Sequence, residues 1–502
     1  MHKRIPGANF LLTILFVALP LNLALSVIWT LPFPFFESAV FIGANSILLA
    51  LPIADAYRYY HEVDRRLTSL FVSVCIVYAV FLPLGAIPAV ASPDALKQYL
   101  PLLILSSMDL WEAAMLAEAI LLVAWIVMRV GMELVFASRF TELREQDQES
   151  ERIRMGKATL FVGIIAVMVG LYSYLDLISS PSQYLAQLEI IADRGLSLMP
   201  ETGSTFIVLA RNALIPGVIA VQFGLMEAKI LGRKGLVLSY VALMGLVMLL
   251  ILPFGNRGLM IQPLLLSLII VERRYQRRIL NLLLPISVVA AVILFGVLYL
   301  RFSPSQLDSD FDPVIARDTM TNLLAGDLNR FPGVVFLSSE VIRSGPIDGK
   351  TLFTGWINLL PNRWIGGERY WRTEDEVMLR TNGWVNPDHA MMLSIPADLY
   401  FNFGWVALIP GMFFMGLVLG LMRRWFALFH NLPQAIFAAY MTLILSTALT
   451  INLAMWPAVV LVNSIPLVVV CLTALVIARG MSRSTLSLSP ILRTSISEKN
   501  VP

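Results

Sequence analysis

Arginines that interrupt apolar runs are the residues of this sequence best suited to chemistry. Arg257 stands at the tip of a hydrophobic hairpin, "LMLLILPFGNRGLMIQPLLLSLII". Gly255 and Gly258 flank it closely, let the backbone turn tightly and leave the guanidinium unobstructed. Arg211, in "FIVLARNALIPG", lies about two helical turns inside another apolar run, and Arg301 ends a third. A guanidinium binds phosphate through two parallel hydrogen bonds, which suits a diphosphate better than an ammonium does. An arginine within a membrane span costs roughly 2.5–3.5 kcal/mol on insertion scales and usually faces a cavity and a partner. The structural alternatives are snorkelling to lipid phosphates and, for Arg211, pairing with a helix-borne acid such as Glu112 or Glu118.

A second group of reactive residues is crowded into "WINLLPNRWIGGERYWRTEDEVMLRTNGWVNPDH", residues 356–389. Trp356, Trp364, Trp371 and Trp384 stand there beside Arg363, Arg369, Arg372 and Arg380. Flat aromatic faces next to polar side chains suit a sugar, whose C–H faces stack while its hydroxyls take hydrogen bonds. An interfacial aromatic belt or simple loop packing would use the same tryptophans. His389 closes the stretch, and an imidazole can take or give a proton near neutral pH. A histidine that merely starts a helix remains open, and Asp388, Glu368, Glu374, Asp375, Glu376 and Asp398 are competing proton acceptors. The run "TEDE" reads as a solvated helix start, with Thr373 as cap and Glu376 closing a capping box.

The elements that must position these groups are membrane helices. The chain is 58% hydrophobic and 14% charged, with a mean hydropathy of +0.76, against about 25% charged residues in soluble domains. It therefore reads as an all-α polytopic membrane protein. Apolar runs able to cross a hydrocarbon core of about 30 Å begin near residues 9, 37, 68, 110, 158, 205, 235, 258, 279, 396, 435 and 457. That gives about twelve helices. "MHKR" and the apolar run after it read as a retained first helix, not a cleavable signal.

With the N-terminus in the cytoplasm, 24 of the 37 Lys and Arg residues fall inside, tails included, at "RYYHEVDRR", "KILGRK", "ERRYQRR" and the other basic loops. Both termini are then cytoplasmic. Residues 1–300 hold helices one to nine, 301–395 a large outer loop read as a folded cap, 396–480 helices ten to twelve, and 481–502 a tail. A loop of that length is usually functional or disordered. Cys75 and Cys471 both lie in apolar runs, so neither a disulfide framework nor a Cys-based metal site is expected. No metal, cofactor or nucleic-acid partner is expected either.

Three stretches carry a resemblance to a known family. "PFGNRGLMIQPLLLSLII" resembles the arginine-bearing outer turn of bacterial O-antigen polymerases and O-antigen ligases. "GKTLFTGWINLLPNRWIGGERYW" is similar to the external-loop segment of oligosaccharide repeat-unit polymerases, with Asn362 inserted between Pro361 and Arg363. "DHAMMLSIPADLYFNFGWVALIPGMFFMGLVLGLM" resembles their loop-to-helix junction, in which a His precedes an acid and a Phe-Gly-x-x-Gly-like turn. Here that turn reads Phe403-Gly404-Trp405-Val406-Ala407, without the second glycine. The resemblance covers mainly residues 250–425 and the layout of helices around one late outer loop.

The resemblance implies a GT-C-like glycosyltransferase of the bacterial inner membrane that acts at its periplasmic face. Its substrates would be undecaprenyl-diphosphate-linked oligosaccharides, its product a surface polysaccharide, and a chain-length regulator is a further partner the family admits. On that reading Arg257 stabilises the departing diphosphate, Arg211, Arg301 and Arg363 assist, and His389 takes the acceptor's proton, with Asp388 or Asp398 as alternatives. Arg369, Arg380, Trp364 and Trp371 are the remaining candidate substrate contacts. An O-antigen ligase-like transferase would share this logic, and the "PNRW…GGERYW" stretch favours the polymerase. A lipid-linked oligosaccharide transporter is the rival of a different class, and Glu112 and Glu118 are the residues that speak for it.

Overall fold

The computed structural model describes residues 6–64, 66, 69–92, 107–136, 149–174, 205–251, 257–275, 317, 320–321, 330–357, 373–382, 393–453 and 456–494. Every regular element among them is helical. In chain order these are α1 (Pro6–Thr13), α2 (Leu19–Ile28), α3 (Phe35–Arg58), α4 (Leu70–Phe81), α5 (Ala86–Ala91) and α6 (Ser107–Phe136). There follow α7 (Glu149–Tyr172), α8 (Thr205–Asn212), α9 (Leu214–Glu227), α10 (Arg233–Ile251), α11 (Arg257–Tyr275) and α12 (Phe331–Ser344). The last six are α13 (Thr354–Ile357), α14 (Thr373–Asn382), α15 (Ile395–Phe403), α16 (Trp405–Phe426), α17 (Leu432–Ala448) and α18 (Trp456–Thr494).

Among the described residues, eight stretches are long and apolar enough to cross a membrane: Phe10–Ile28, Phe35–His61, Leu70–Ala91, Asp109–Val135, Glu149–Tyr172, Leu209–Glu227, Trp405–Phe426 and Val459–Met481. The chain is thus a multi-pass membrane protein. Helices are the form such segments must take, because lipid offers no partner for a bare N–H or C=O. Large apolar side chains stand uncovered on the spans, among them Val27 and Val476, at 83% and 67% exposure, as a bilayer-facing surface requires.

Of the twelve expected spans, those near 235 and 258 correspond to α10 and α11, and the one near 435 to the shorter α17. The one near 279 lies outside the described residues. The span expected from 396 is corrected: it is two helices, the nine-residue α15 and the long α16, broken at Gly404. Gly404 sits at φ 61°, a left-handed conformation that a side chain would resist.

Contacts divide the chain into two units by spatial proximity and not by chain order. Unit 1 comprises Met1–Thr141, Arg278–Ala427 and Thr442–Leu461; unit 2 comprises Glu142–Arg277, Leu428–Met441 and Val462–Pro502. The long loop of residues 301–395 therefore belongs with the first spans. Within unit 1, α6 packs closely on α16. A Cβ on Gly131 would meet Leu417 N at 3.0 Å and one on Gly416 would meet Met132 N at 3.0 Å, so small residues bring these two backbones together. Asn22, Asn45 and Ser46 form a buried polar bridge: Asn22 Nδ2 donates to Ser46 Oγ at 3.0 Å, and Asn45 Nδ2 to Asn22 Oδ1 at 3.2 Å.

The loop segment expected as part of a cap contains α12, which is buried along most of its length and packs on α5, α6 and α15. Arg330 fixes its start: its N–H donates to Phe81 O at 2.7 Å and its Nε to Thr450 O at 2.9 Å. Earlier in the loop, Thr321 accepts a hydrogen bond from Trp29 Nε1 at 2.8 Å.

Unit 2 is built on the contact of α7 with α9. Gly156, Gly163 and Gly170 recur every seven residues on α7 and meet Glu227, Ala220 and Leu214 of α9, while Gly217 and Gly224 of α9 meet Ala166 and Leu160 of α7. A Cβ on Gly163 would lie 2.7 Å from Val221 N, and one on Gly224 would lie 2.6 Å from Leu160 N. At one end of this unit Glu227 is fully enclosed and accepts from Arg274 Nε at 2.8 Å and Tyr275 Oη at 3.2 Å, with Arg152 Nε at 3.4 Å. Arg274 also donates to the His430 carbonyl, and Lys229 pairs with Glu149. The basic loops read only as sidedness signals therefore also tie this unit together.

Candidate functional site

Asp398 lies on α15, in the apolar sequence "IPADLYFNF", with Asn402 one helical turn further on. Both are fully buried. Asp398 Oδ1 accepts from Thr373 Oγ1 at 2.6 Å and from Asn402 Nδ2 at 3.1 Å, and its Oδ2 accepts from Leu453 N at 2.8 Å. Thr373 Oγ1 also meets Thr351 Oγ1 at 2.9 Å, and Thr351 N donates to Asn402 Oδ1 at 3.3 Å. One carboxylate thus joins four pieces of chain: the turn around Thr351, the start of α14, α15 itself and the turn between α17 and α18.

The break after α15 frees backbone carbonyls that must find donors. The turn "GPIDGK" supplies them: Ile347 N donates to Phe401 O at 3.0 Å and Gly349 N to Asn402 O at 3.1 Å. Gly349 has φ 79°, and a Cβ there would run into the Phe403 ring, so the turn needs glycine on two counts. Asp348, at φ 53°, shares the left-handed conformation that Asp tolerates.

Charges rim this core. Lys350 Nζ pairs with Glu376 at 2.5 Å, and Arg380 Nε reaches the same carboxylate at 3.4 Å. Arg380 Nη1 also donates to Gly345 O at 3.2 Å, and its guanidinium lies 5.8 Å from the Phe401 ring centre. Burial pushes the Asp398 carboxyl up to about 6, and the hydrogen bonds from Thr373, Leu453 N–H and Asn402 hold it from going higher. Burial likewise raises Glu340, against the pull of Arg343 and Arg380.

The candidates nominated by the sequence fall in three groups. His389, Asp388, Arg301, Arg363, Arg369, Trp364 and Trp371 lie outside the described residues. Arg257 heads α11, and Arg211 closes α8 with its guanidinium 5.3 Å from the Tyr174 ring centre. Arg380 is described in full, and its guanidinium is engaged by the protein through Glu376, Gly345 O and Phe401. Asp398, an alternative proton acceptor, is fully buried, and both its oxygens accept hydrogen bonds within the protein.

The "TEDE" reading needs correcting: Asp375 and Glu376 are buried, not solvated. The Thr373 hydroxyl serves Asp398 and Thr351, while Glu376 pairs with Lys350 and Arg380 and not in a capping box. Sequence reading missed Lys350, Thr351, Asn402 and Trp456. Asn402 was signalled by its spacing of four from Asp398 in an apolar helix. Trp456, whose ring centre lies 6.3 Å from that of the half-exposed Trp356, carried no local signal. Among the described residues no three His, Cys, Asp or Glu side chains gather as metal ligands would.

Compared with known proteins, the chain matches no family model, no curated protein and no solved structure.

Proposed function

We propose that this chain polymerises undecaprenyl-diphosphate-linked oligosaccharide repeat units into a surface polysaccharide, O-antigen or exopolysaccharide, at the periplasmic face of a bacterial inner membrane. The observation that carries this reading is the docking of the long loop, through Thr373, onto Asp398 of α15, the short helix that precedes the span of α16 and is also held by Leu453 N–H. Catalysis on a lipid-borne glycan needs polar groups held rigidly at the membrane boundary. Apart from Arg211, Arg257 and Asp398, every nominated residue belongs by sequence to residues 301–395, the loop that also carries Thr373.

In the proposed reaction the hydroxyl at the non-reducing end of a new repeat attacks the anomeric carbon of the growing chain. The bond from that carbon to the diphosphate oxygen breaks, and its electron pair leaves with the lipid diphosphate. His389 takes the hydroxyl proton, with Asp388 as the alternative. Arg257, aided by Arg211, Arg301 and Arg363, offsets the charge gathering on the leaving group, most effectively where water is scarce. Trp364, Trp371 and Arg369 hold the sugars. Both termini lie in the cytoplasm on this reading, and the spans and loop follow a GT-C-like plan.

A second reading, a transporter of lipid-linked oligosaccharide, is favoured by one residue. Glu118 is buried within α6 and neither of its oxygens has a hydrogen-bond partner among the described residues, and carboxyls inside spans often belong to transport paths. Mass spectrometry of lipid-linked glycans from a strain lacking the gene separates the readings. Single repeats accumulating on the outer-leaflet carrier support the polymerase. Long chains stranded on the carrier point to a ligase, repeats trapped on the inner leaflet to a transporter, and an unchanged profile removes all three.

A further inference from the structure

Most buried acids of this chain have a donor or a cation. Asp55 accepts from Trp125 Nε1 at 3.1 Å and lies 3.3 Å from Arg129 Nη1. Glu227 is held by Arg274, Glu376 by Lys350, and Asp398 by three donors. Glu118 is the exception. It stands within the span Asp109–Val135, 3% exposed, and neither carboxyl oxygen has a hydrogen-bond partner among the described residues.

The charged groups around it are engaged elsewhere. Further along α6, Arg129 lies about 16 Å away and bonds Asp55 and Glu133. Four helices pack on α6: α3, α12, α15 and α16. On α3, Arg58 pairs with Glu133 at 2.9 Å; on α12, Arg343 stands 3.8 Å from Glu340; on α15, Asp398 has its own donors. Gly420 of α16 meets Val135, so Arg423 and Arg424 lie beyond it, at the far end of α6 from Glu118.

Tyr78 of α4 is the ionisable group that feels the charge of Glu118. Its hydroxyl donates to Leu121 O at 2.6 Å, one turn along α6 from Glu118. With that proton spent, the phenol oxygen can only accept. Acceptors therefore gather here without a donor among the described residues. An enclosed carboxylate left unpaired is too costly to persist, so a positive species must meet it. No three His, Cys, Asp or Glu side chains cluster among the described residues, and one carboxylate matches one positive charge.

We infer that Glu118 is the binding site of a single monovalent cation inside the membrane, a proton or a sodium ion, with the Tyr78 hydroxyl oxygen beside it. The inference is independent of the polymerase reading, because neither residue enters the proposed reaction.

The test is modification by dicyclohexylcarbodiimide, an apolar reagent. A protonated carboxyl adds across its N=C bond and rearranges to an N-acylurea that carries the mass of both reactants. Full-length protein in mild detergent is treated over a pH series, in sodium or potassium salt at equal ionic strength, and its peptides are read by mass spectrometry. Modification of Glu118 that falls as pH rises and ignores sodium identifies the proton as occupant. Modification suppressed several-fold by sodium and not by potassium identifies the sodium ion. A Glu118 unmodified at every pH without sodium, although it reacts once the protein is unfolded, overturns the inference. Modification that neither pH nor sodium changes overturns it too. Glu118→Gln keeps the volume and binds neither ion, so the melting temperature of the wild type should shift relative to Glu118→Gln with pH or sodium, whichever the labelling identifies. Wild type and Glu118→Gln that respond alike to both also overturn the site.

Discussion

Replacing Asp398 tests the energetics of the loop anchor. Asp398→Ala removes the acceptor of the buried Thr373 hydroxyl and of the part-buried Leu453 N–H, and one of three acceptors of the Asn402 amide. A buried donor left unpaired costs about 1–3 kcal/mol. The Thr373 hydroxyl can turn to Thr351 and the Asn402 amide keeps its other acceptors, so the total is about 2–4 kcal/mol. Thr373→Val removes the donor to Asp398 and one hydroxyl partner of Thr351, which keeps Asn402, and costs about 1–2 kcal/mol. Thermal unfolding of detergent-purified protein should therefore rank wild type above Thr373→Val, and Thr373→Val above Asp398→Ala. An Asp398→Ala protein that melts with the wild type would refute the reasoning.

The same residue gives a pH signature. Its carboxyl is raised to about 6 in the folded protein, above the unfolded value of about 4. The folded state therefore binds the proton more tightly, and stability from this group is greatest below pH of about 4 and is lost as pH rises through about 6. The Thr351–Thr373 hydroxyl pair can reverse its donor direction, so the network accepts either state of the carboxyl. Asn does not titrate, so the stability of wild type relative to Asp398→Asn should grow by about 1 kcal/mol from pH 7 to pH 5. A difference that shrinks on acidification contradicts the raised value.

Three further perturbations reach other parts of the molecule. Gly163→Ala places a methyl 2.7 Å from Val221 N and 2.9 Å from Ala220 Cβ, and overpacking of this kind costs about 1–3 kcal/mol; the melting temperature should fall, and an unchanged one removes the close α7–α9 contact. Glu227→Ala leaves Arg274 and Arg152 facing each other without their shared carboxylate. It should destabilise by about 3–5 kcal/mol, and combining Glu227→Gln with Arg274→Met should cost less than the two single changes added, as a thermal double-mutant cycle would record. Cys75 and Cys471 are buried, so maleimides should label introduced cysteines selectively. Phe353→Cys should react from the periplasm and Ile230→Cys only after the membrane is opened; the reverse pattern inverts the proposed orientation.

Much of the helical layout was legible in composition, because an apolar run of span length has few ways to satisfy its backbone in lipid. The first six expected spans appear close to where hydropathy places them. Sequence failed where a single run holds two roles. "IPADLYFNFGWVALIPGMFF" is apolar throughout, yet Gly404 breaks it, and the turn there was visible only as a motif. Likewise "FPGVVFLSSEVI" is too short to span and was read as part of a cap, although it forms a buried helix against α6. Buried polar partners were least legible: nothing local couples Thr373 to Asp398 or Glu227 to Arg274, since those pairs meet only through tertiary packing. The seven-residue glycine rhythm on α7 was present in the sequence and would have marked its close contact with α9. Of the nominated site residues, Arg211, Arg257 and Arg380 lie among those described, and Arg380 turned out to hold the loop itself.

The most direct measurement is reconstitution of the purified protein in proteoliposomes with lipid-linked single repeats and no nucleotide sugar, read by mass spectrometry. A ladder of longer lipid-linked chains with release of undecaprenyl diphosphate is expected from the wild type. Arg257→Ala, folded and inserted normally, should give none. Absence of any ladder from the wild type would contradict polymerisation, and a wild-type ladder from Arg257→Ala would contradict the role given to that arginine.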